Sequence, residues 1–319
     1  MKTSRRRFLS VTAATAAVAS LTGCGKKDGR TRSWQWRGVL FGAEAEISLH
    51  GVDPEKGQQL TQACFEKMRA LEGLFSLYQP DSLLCRLNRE GEVRAPAPAF
   101  VDLLTQAVAY GAKTEGAFDV TVQALWKLYH QHYVKDELLV SPDKMAIAQA
   151  LALVDDQSVV IEADRVAFQK PGMAVTLNGI AQGYITDQVA DFLRAEGMDQ
   201  TLVHMGEYRA LGGHPEKRPW EIGVRSASEF EEILTSLPIE NQALAMSGGY
   251  GFTFDPKGKR HHLFHPQTGA NQPANQTVCV IAPTATMADA LSTACAVLVP
   301  EQAQDLAGQY GVQLRILKG

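Results

Sequence analysis

The chain has 319 residues, of which 45% are hydrophobic and 21% are charged, and its formal net charge is −4. This composition indicates a globular protein that is long enough to bury a sizeable core in one large or two smaller domains. The sequence contains no long basic run, so its charge pattern gives no support to nucleic-acid binding.

The N-terminus has the features of an export signal. Paired arginines in SRRRFL (4–9) precede a mildly apolar, alanine-rich stretch at 10–22 that is too short to span a bilayer. The arginine pair favours the twin-arginine route. LTGC (21–24) resembles a lipobox, which would make Cys24 a lipidated first residue, and an ordinary signal peptide with an incidental cysteine is the alternative. We therefore expect a periplasmic protein with a signal peptide at 1–23, a flexible tether at 24–33 and one domain at 34–319.

The first half of the domain is predicted to be mainly helical. Partial alternation of apolar and polar residues at 39–51 predicts an early strand. Apolar residues at helical spacing predict helices over 56–78, 99–113 and 120–130. A further helix is predicted after Asn178, which would be its N-cap, and Gly197 would end it.

The second half is predicted to be rich in strands. Its short strand-like runs are TLVHM, WEIGVRS, QALAMS, HHLF and TVCVIAP, and DPKGK (255–259) is typical of a hairpin tip. The largely apolar stretch MADALSTACAVL (287–298) predicts a buried helix that closes this half. The predicted fold class is α+β, with a helix-rich N-terminal half and a mainly antiparallel sheet in the C-terminal half.

The predicted helix at 287–298 brings a carboxylate and a hydroxyl to one face. Asp289 and Thr293 are four residues apart and therefore point the same way on a helix. Mg²⁺ takes oxygen ligands and is often held by one or two carboxylates together with substrate phosphates. From these residues alone, a magnesium site and simple N-terminal helix polarity at Asp289 both stay open.

Three other stretches carry candidate site residues. TEGAFDVTV (114–122) places Asp119 just before a helix, where backbone N–H groups can meet an anion or Asp119 can simply cap the helix. LNGIAQGYITD (177–187) begins a helix with a glycine pair, which suits either a phosphate cradle or an ordinary turn. RHHLFHPQTG (260–269) contains three histidines, but no acid or cysteine stands at a standard zinc offset.

The complete set of motifs resembles the ApbE family of FAD:protein FMN transferases over nearly all of the mature chain. The matching stretches are F-S-x-Y near residue 78, G-A-F-D, x-L-x-G-I-A-x-G-Y, M-G-E, S-G-x-Y, H-x-x-x-P-x-T-G and A-D-A-L-S-T-A. LNGIAQGYITD and the twin-arginine leader are most similar to the NosX branch, which serves nitrous oxide reductase through its flavoprotein partner. The resemblance implies an ApbE-like, T-fold-like architecture.

The resemblance also implies roles for individual residues. Asp289, Thr293 and the carbonyl of Gly179 match the family's Mg²⁺ ligands. His262 matches its active-site histidine and would act beside Asp289 in catalysis, either as a base or as a group that only hydrogen-bonds the ligand. The positions that match FAD contacts are Phe41, Tyr78, Ala117, Phe118, Asp119, Thr176 and Gln182.

Five positions depart from the family's common pattern. Phe41 stands for the usual Met, Thr176 for Asp, Gln182 for Lys or Glu, Glu207 for the second acid of G-G-D, and His265 for the Asp of I-D-P. Three of these positions match FAD contacts, so the electrostatics around the nucleotide must differ from the usual pattern.

The implied activity moves FMN from FAD, the substrate, to a threonine hydroxyl of a partner flavoprotein and releases AMP, with Mg²⁺ as cofactor. The implied partner is a NosR-like protein with the acceptor motif D-x-x-[S/T]-G-A-T, which this chain lacks. Two alternatives stay open. One is an FAD pyrophosphatase that uses water in place of threonine, and the other is a periplasmic FAD-binding protein without turnover.

Overall fold

A computed structural model describes residues 33–40, 43–135, 140–226, 232–255, 260–272 and 275–318. The predicted signal peptide, the lipobox cysteine Cys24 and the tether up to residue 32 lie outside the described residues, as do Phe41 and residues 256–259 of the predicted hairpin tip. Within the described ranges, no helix is both long enough and apolar enough to cross a membrane.

The described residues contain eight α-helices. They are α1 Pro54–Phe75, α2 Leu83–Glu90, α3 Pro98–Lys113, α4 Gln123–His130, α5 Lys144–Leu151, α6 Ala181–Ala195, α7 Ala285–Val297 and α8 Pro300–Tyr310. The helices predicted over 56–78, 99–113 and 120–130 are confirmed as α1, α3 and α4, the last preceded by a 3₁₀ turn at Val120–Val122. The predicted helix at 287–298 is confirmed as α7.

The described strands form one large sheet and two small ones. They are β1 Ser33–Leu40, β2 Ala43–His50, β3 Glu92–Arg94, β4 Val159–Glu162, β5 Arg165–Phe168, β6 Thr201–Met205, β7 Tyr208–Leu211, β8 Trp220–Arg225, β9 Ile233–Ile239, β10 Ala243–Gly248, β11 Gln276–Ala282 and β12 Gln313–Lys318. The main sheet has the order β1-β2-β6-β7-β10-β11-β12, and the small sheets are β3-β5-β4 and β8-β9. Every strand pair of the main sheet is antiparallel, which confirms the predicted α+β class.

The predicted early strand is confirmed as β2, which pairs with β1 at the edge of the main sheet. Three other local predictions were wrong. HHLF forms no strand, and His261 makes only an isolated bridge. The N-cap of α6 is Ile180 and not Asn178. Finally, α8 and β12 follow α7, so that helix does not close the fold.

The main sheet is covered on both faces. α6 and α7 pack on one face, where Val203 and Ala243 belong to the main core. The β8–β9 hairpin covers the other face, where Trp220 packs with Leu244. Because α7 contacts β10, β11 and α6, its side chains are held in a fixed relation to the centre of the sheet.

Candidate active site

Most of the predicted site residues line one cleft. Its walls come from the stretch before α4, the loop before α6, the histidine-bearing loop and one face of α7. The lining residues are Ala117, Phe118, Asp119, Val120, Val122, Thr176, Gly179, His262, Leu263, Phe264, Pro266, Thr293 and Val297. Segments that are far apart in the sequence therefore meet in one place.

α6 and α7 approach each other closely at Gly183. A Cβ atom on this residue would lie 2.3 Å from the carbonyl oxygen of Ala285 and 2.8 Å from Cβ of Asp289, so the contact needs a glycine. Asp289 is only 3% exposed, and its Oδ2 accepts a hydrogen bond of 3.0 Å from the Gly183 N–H. Within the described part of the chain this is the only hydrogen bond to the Asp289 carboxylate, and Asp289 is not itself among the residues that line the cleft.

Thr293 lies one turn after Asp289 and faces Gly179. A Cβ atom on Gly179 would lie 2.8 Å from Thr293 Oγ1, which shows how closely the loop before α6 approaches α7. Ser247 Oγ lies 3.4 Å from Thr293 Oγ1 and 2.7 Å from Ser292 Oγ. The carboxylate, the hydroxyl and the nearby backbone carbonyl are hard oxygen donors, which fit Mg²⁺.

Burial and a neighbouring negative charge raise the pKa of two carboxylates around this point, Asp289 and Glu207. Burial raises the pKa of Asp289, and the charge of Asp187 raises it further. Burial and the charge of Asp289 raise the pKa of Glu207, whose Oε2 accepts a hydrogen bond of 3.3 Å from the Met246 N–H. Buried carboxylates with raised pKa values are typical of functional sites. A divalent cation bound nearby would favour their charged forms.

The ring of His262 is held by the loop on which it lies. Its Nδ1 is 3.2 Å from the carbonyl oxygen of Phe252. Since a carbonyl oxygen can only accept, Nδ1 carries the proton and Nε2 keeps its lone pair. Burial lowers the pKa of His262 to about 4, so the ring is neutral at pH 7 and can accept a proton at Nε2.

The neighbouring histidines make local hydrogen bonds. His261 Nδ1 accepts from the Leu263 N–H at 3.2 Å, and its Nε2 lies 2.6 Å from the carbonyl oxygen of Gln272. His265 Nδ1 accepts from the Gln267 N–H at 3.3 Å. The described ranges contain no group of three or more His, Cys, Asp or Glu side chains that could hold a metal ion, so the three histidines do not form a zinc site there.

Asp119 caps a turn and also lines the cleft. Its Oδ1 accepts a hydrogen bond of 2.7 Å from the Thr121 N–H, so it caps the 3₁₀ turn before α4, and it also lines the cleft. Burial raises the pKa of Asp119 to about 6 although the hydrogen bonds from Thr121 lower it. The Thr176 N–H donates to the Val120 carbonyl at 2.8 Å and joins two walls of the cleft.

Three of the predicted FAD contacts are not among the lining residues. Tyr78 is 66% exposed. The side-chain amide of Gln182 lies against Gly206, where a Cβ atom would come within 2.3 Å of Gln182 Nε2. Phe41 lies outside the described residues. The roles of these three residues stay predictions.

Sequence reasoning missed the part that Asp187 plays. This carboxylate of α6, whose side chain is 13% exposed, accepts hydrogen bonds from the N–H groups of Ala285 and Thr286, at 2.8 Å each, at the start of α7. Asp187 ends the motif LNGIAQGYITD and lies four residues after Gly183, on the same face of α6. That spacing was the available signal for its orientation toward α7.

Comparisons with known proteins identify the family of the chain. The ApbE family model matches residues 41–316. The FAD:protein FMN transferase of Klebsiella pneumoniae (strain 342) is 32% identical over 303 residues, covering 91% of this chain and 83% of its own length. The FAD:protein FMN transferase of Salmonella typhimurium is 30% identical over 295 residues, covering 89% and 81%.

Solved structures share the fold. The apbe protein from Thermotoga maritima superposes with a TM-score of 0.77 at 26% identity, covering 90% of this chain and 97% of its own. Flavin Transferase ApbE from Vibrio cholerae superposes with a TM-score of 0.77 at 23% identity, covering 91% and 94%, which shows the shared fold.

Proposed function

Because the chain belongs to the ApbE family, we propose that it is an FAD:protein FMN transferase, which moves FMN from FAD to a hydroxyl of a partner protein. One observation carries the proposal. His262, Thr293 and Gly179 line a single cleft, and the carboxylate of Asp289 lies one helical turn before Thr293. This cleft offers a proton acceptor and oxygen ligands for a cation in one place, which phosphoryl transfer requires.

The chemistry of the reaction assigns a task to each group. The acceptor Oγ forms a bond to the flavin-side phosphorus, the bond from that phosphorus to the bridging oxygen breaks, and AMP leaves with that oxygen. When bound, Mg²⁺ supplies Lewis-acid stabilisation of the negative charge that builds on the phosphate oxygens. Asp289, Thr293 and the Gly179 carbonyl would hold it. His262 receives the hydroxyl proton at Nε2.

The proposal is tested with the purified protein, FAD, Mg²⁺ and a partner fragment that carries D-x-x-[S/T]-G-A-T. Flavin fluorescence of the fragment in a denaturing gel is the expected result, and a fragment with alanine at the acceptor position should stay dark. Release of AMP without a fluorescent fragment would indicate an FAD pyrophosphatase. FAD that binds but stays intact would indicate a binding protein, in keeping with the neutral Thr176 in the cleft wall.

His262→Gln is expected to lower the rate of transfer by about 10²–10⁴-fold, the usual contribution of a general base. Single-turnover AMP release at saturating FAD measures this rate. Because the pKa of His262 is lowered to about 4, protonation of this ring should not reduce the wild-type rate between pH 8 and 6. A loss of wild-type rate centred on the ordinary histidine pKa, about 6.5, that disappears in His262→Gln would contradict the assigned state of the ring. His50→Gln, on β2, is the control.

The proposal extends to the cellular setting. The leader supports export by the twin-arginine route to the periplasm, with a lipid anchor at Cys24. The similarity of LNGIAQGYITD to the NosX branch supports a NosR-like acceptor and a role in nitrous oxide reductase maturation. A deletion strain should then lack covalent flavin on that acceptor, and the wild-type gene should restore it.

A further inference from the structure

Two carboxylates join α6 and α7 in opposite directions. Asp187 of α6 accepts hydrogen bonds at the first turn of α7, from the N–H groups of Ala285 and Thr286 at 2.8 Å each and from Thr286 Oγ1 at 2.7 Å. Asp289 of α7 accepts from the Gly183 N–H in the first turn of α6. Each helix therefore provides an anion for N–H groups that the other helix leaves without an internal partner.

A buried guanidinium group, that of Arg209, lies next to Asp187. Arg209 of β7 is only 7% exposed, and its Nε lies 3.7 Å from Asp187 Oδ1. Within the described part of the chain, Nε and Nη1 of Arg209 are buried without a hydrogen-bond partner. A buried guanidinium is costly unless a counter-charge is near, and the Asp187 carboxylate is the ion-pair partner that the structure provides.

Asp187 acts at the face of α7 that carries the proposed cation ligands. Ala285, Asp289 and Thr293 follow one another at intervals of four residues and share one side of the helix. Both oxygens of Asp187 accept hydrogen bonds from α7, so a change at Asp187 alters how α7 is held and does not remove a direct ligand. The hydrogen bonds from residues 285 and 286 to Asp187 fix the rotation of α7 about its axis.

We infer that Asp187, supported by Arg209, is a positioning residue that sets the orientation of Asp289 and Thr293 and thereby the cation affinity of the cleft. The inference rests on the proposed function, because the cation is the one proposed there. A carboxylate that only capped α7 would affect the stability of the fold, whereas a positioning residue also changes cation affinity in the folded protein.

The test measures cation binding directly. Mn²⁺ replaces Mg²⁺ because its free form is quantified by electron paramagnetic resonance, and the titration is made on the full chain with FAD present. Asp187→Asn keeps the size of the side chain and loses its charge. It should weaken Mn²⁺ binding by about tenfold, at a temperature where circular dichroism shows the variant to be folded. Thr286→Val removes only the hydroxyl donor and should weaken binding less.

Asp191→Asn is the matched control, because Asp191 lies one turn further along α6 with a side chain that is 62% exposed. It should bind Mn²⁺ like the wild type. A folded Asp187→Asn protein with wild-type affinity would overturn the inference. If that variant does not fold, wild-type affinity in Thr286→Val overturns it instead.

The outcomes also separate the inference from the proposed function. Mn²⁺ binding that depends on Asp187, in a protein that labels no acceptor, would leave the inference standing and reject the transferase. Acceptor labelling by the wild type, together with unchanged Mn²⁺ affinity in Asp187→Asn, would support the transferase and reject the inference. A wild-type protein that binds no Mn²⁺ would reject both the cation site and the inference.

Discussion

Asp289→Asn is expected to reduce FMN transfer by about 10³-fold or more, because the amide keeps the shape of the side chain but loses the charge that would bind the cation. The amide oxygen can still accept the Gly183 N–H, so the contact between α6 and α7 is retained. Acceptor fluorescence and AMP release in single-turnover reactions measure the loss.

A second prediction for Asp289→Asn distinguishes a cation ligand from a residue that only stabilises the fold. Burial raises the pKa of Asp289, so the folded chain disfavours the charged carboxylate when no cation is bound. In metal-free buffer, Asp289→Asn should therefore unfold at the same temperature as the wild type or at a higher one. Asp305→Asn, an exposed change on α8, is the control for both measurements. Full transfer activity in Asp289→Asn would rule out the assigned ligand.

Gly183→Ala is expected to lower the free energy of unfolding by about 1–3 kcal/mol and to abolish transfer. The added Cβ would meet the Ala285 carbonyl oxygen at 2.3 Å, and since that atom belongs to the backbone, α6 and α7 must move apart. This movement would break the hydrogen bond from the Gly183 N–H to Asp289 and displace the carboxylate.

Urea denaturation measures the stability of this variant, and Gly308→Ala provides the comparison. Gly308 lies within α8, where an added Cβ would have no neighbour within 4 Å, so the change should be neutral or stabilising by up to about 1 kcal/mol. Equal stability of the two variants would contradict the prediction that the close approach of α6 and α7 requires a glycine at residue 183.

The sequence predicted the main helices because their apolar periodicity is strong, and it predicted the pairing of Asp289 with Thr293 because both lie on one helix. It failed where long-range contacts decide the local structure. Asn178 has the side chain of an N-cap, yet α6 begins later, and an N–H of its first turn bonds to Asp289 of α7. No local pattern can indicate such a partner.

Two omissions had signals in the sequence. α8 begins with Pro300, buries Ala303 and Leu306 on one side, and ends at Gly311 in the left-handed conformation, all of which are ordinary helix signals. The contact of Asp187 with α7 was harder to predict, since its orientation toward α7 depends on how closely α6 and α7 pack at Gly183.

The order of strands in the main sheet has a consequence for how the chain folds. β2 pairs with β6, so the centre of the sheet can form only when residues near 45 and residues near 205 are both present. Contacts of such high sequence separation slow folding and make it depend on most of the chain being present. The cleft draws on residues from 117 to 297, so it is complete only when most of the chain has been synthesised.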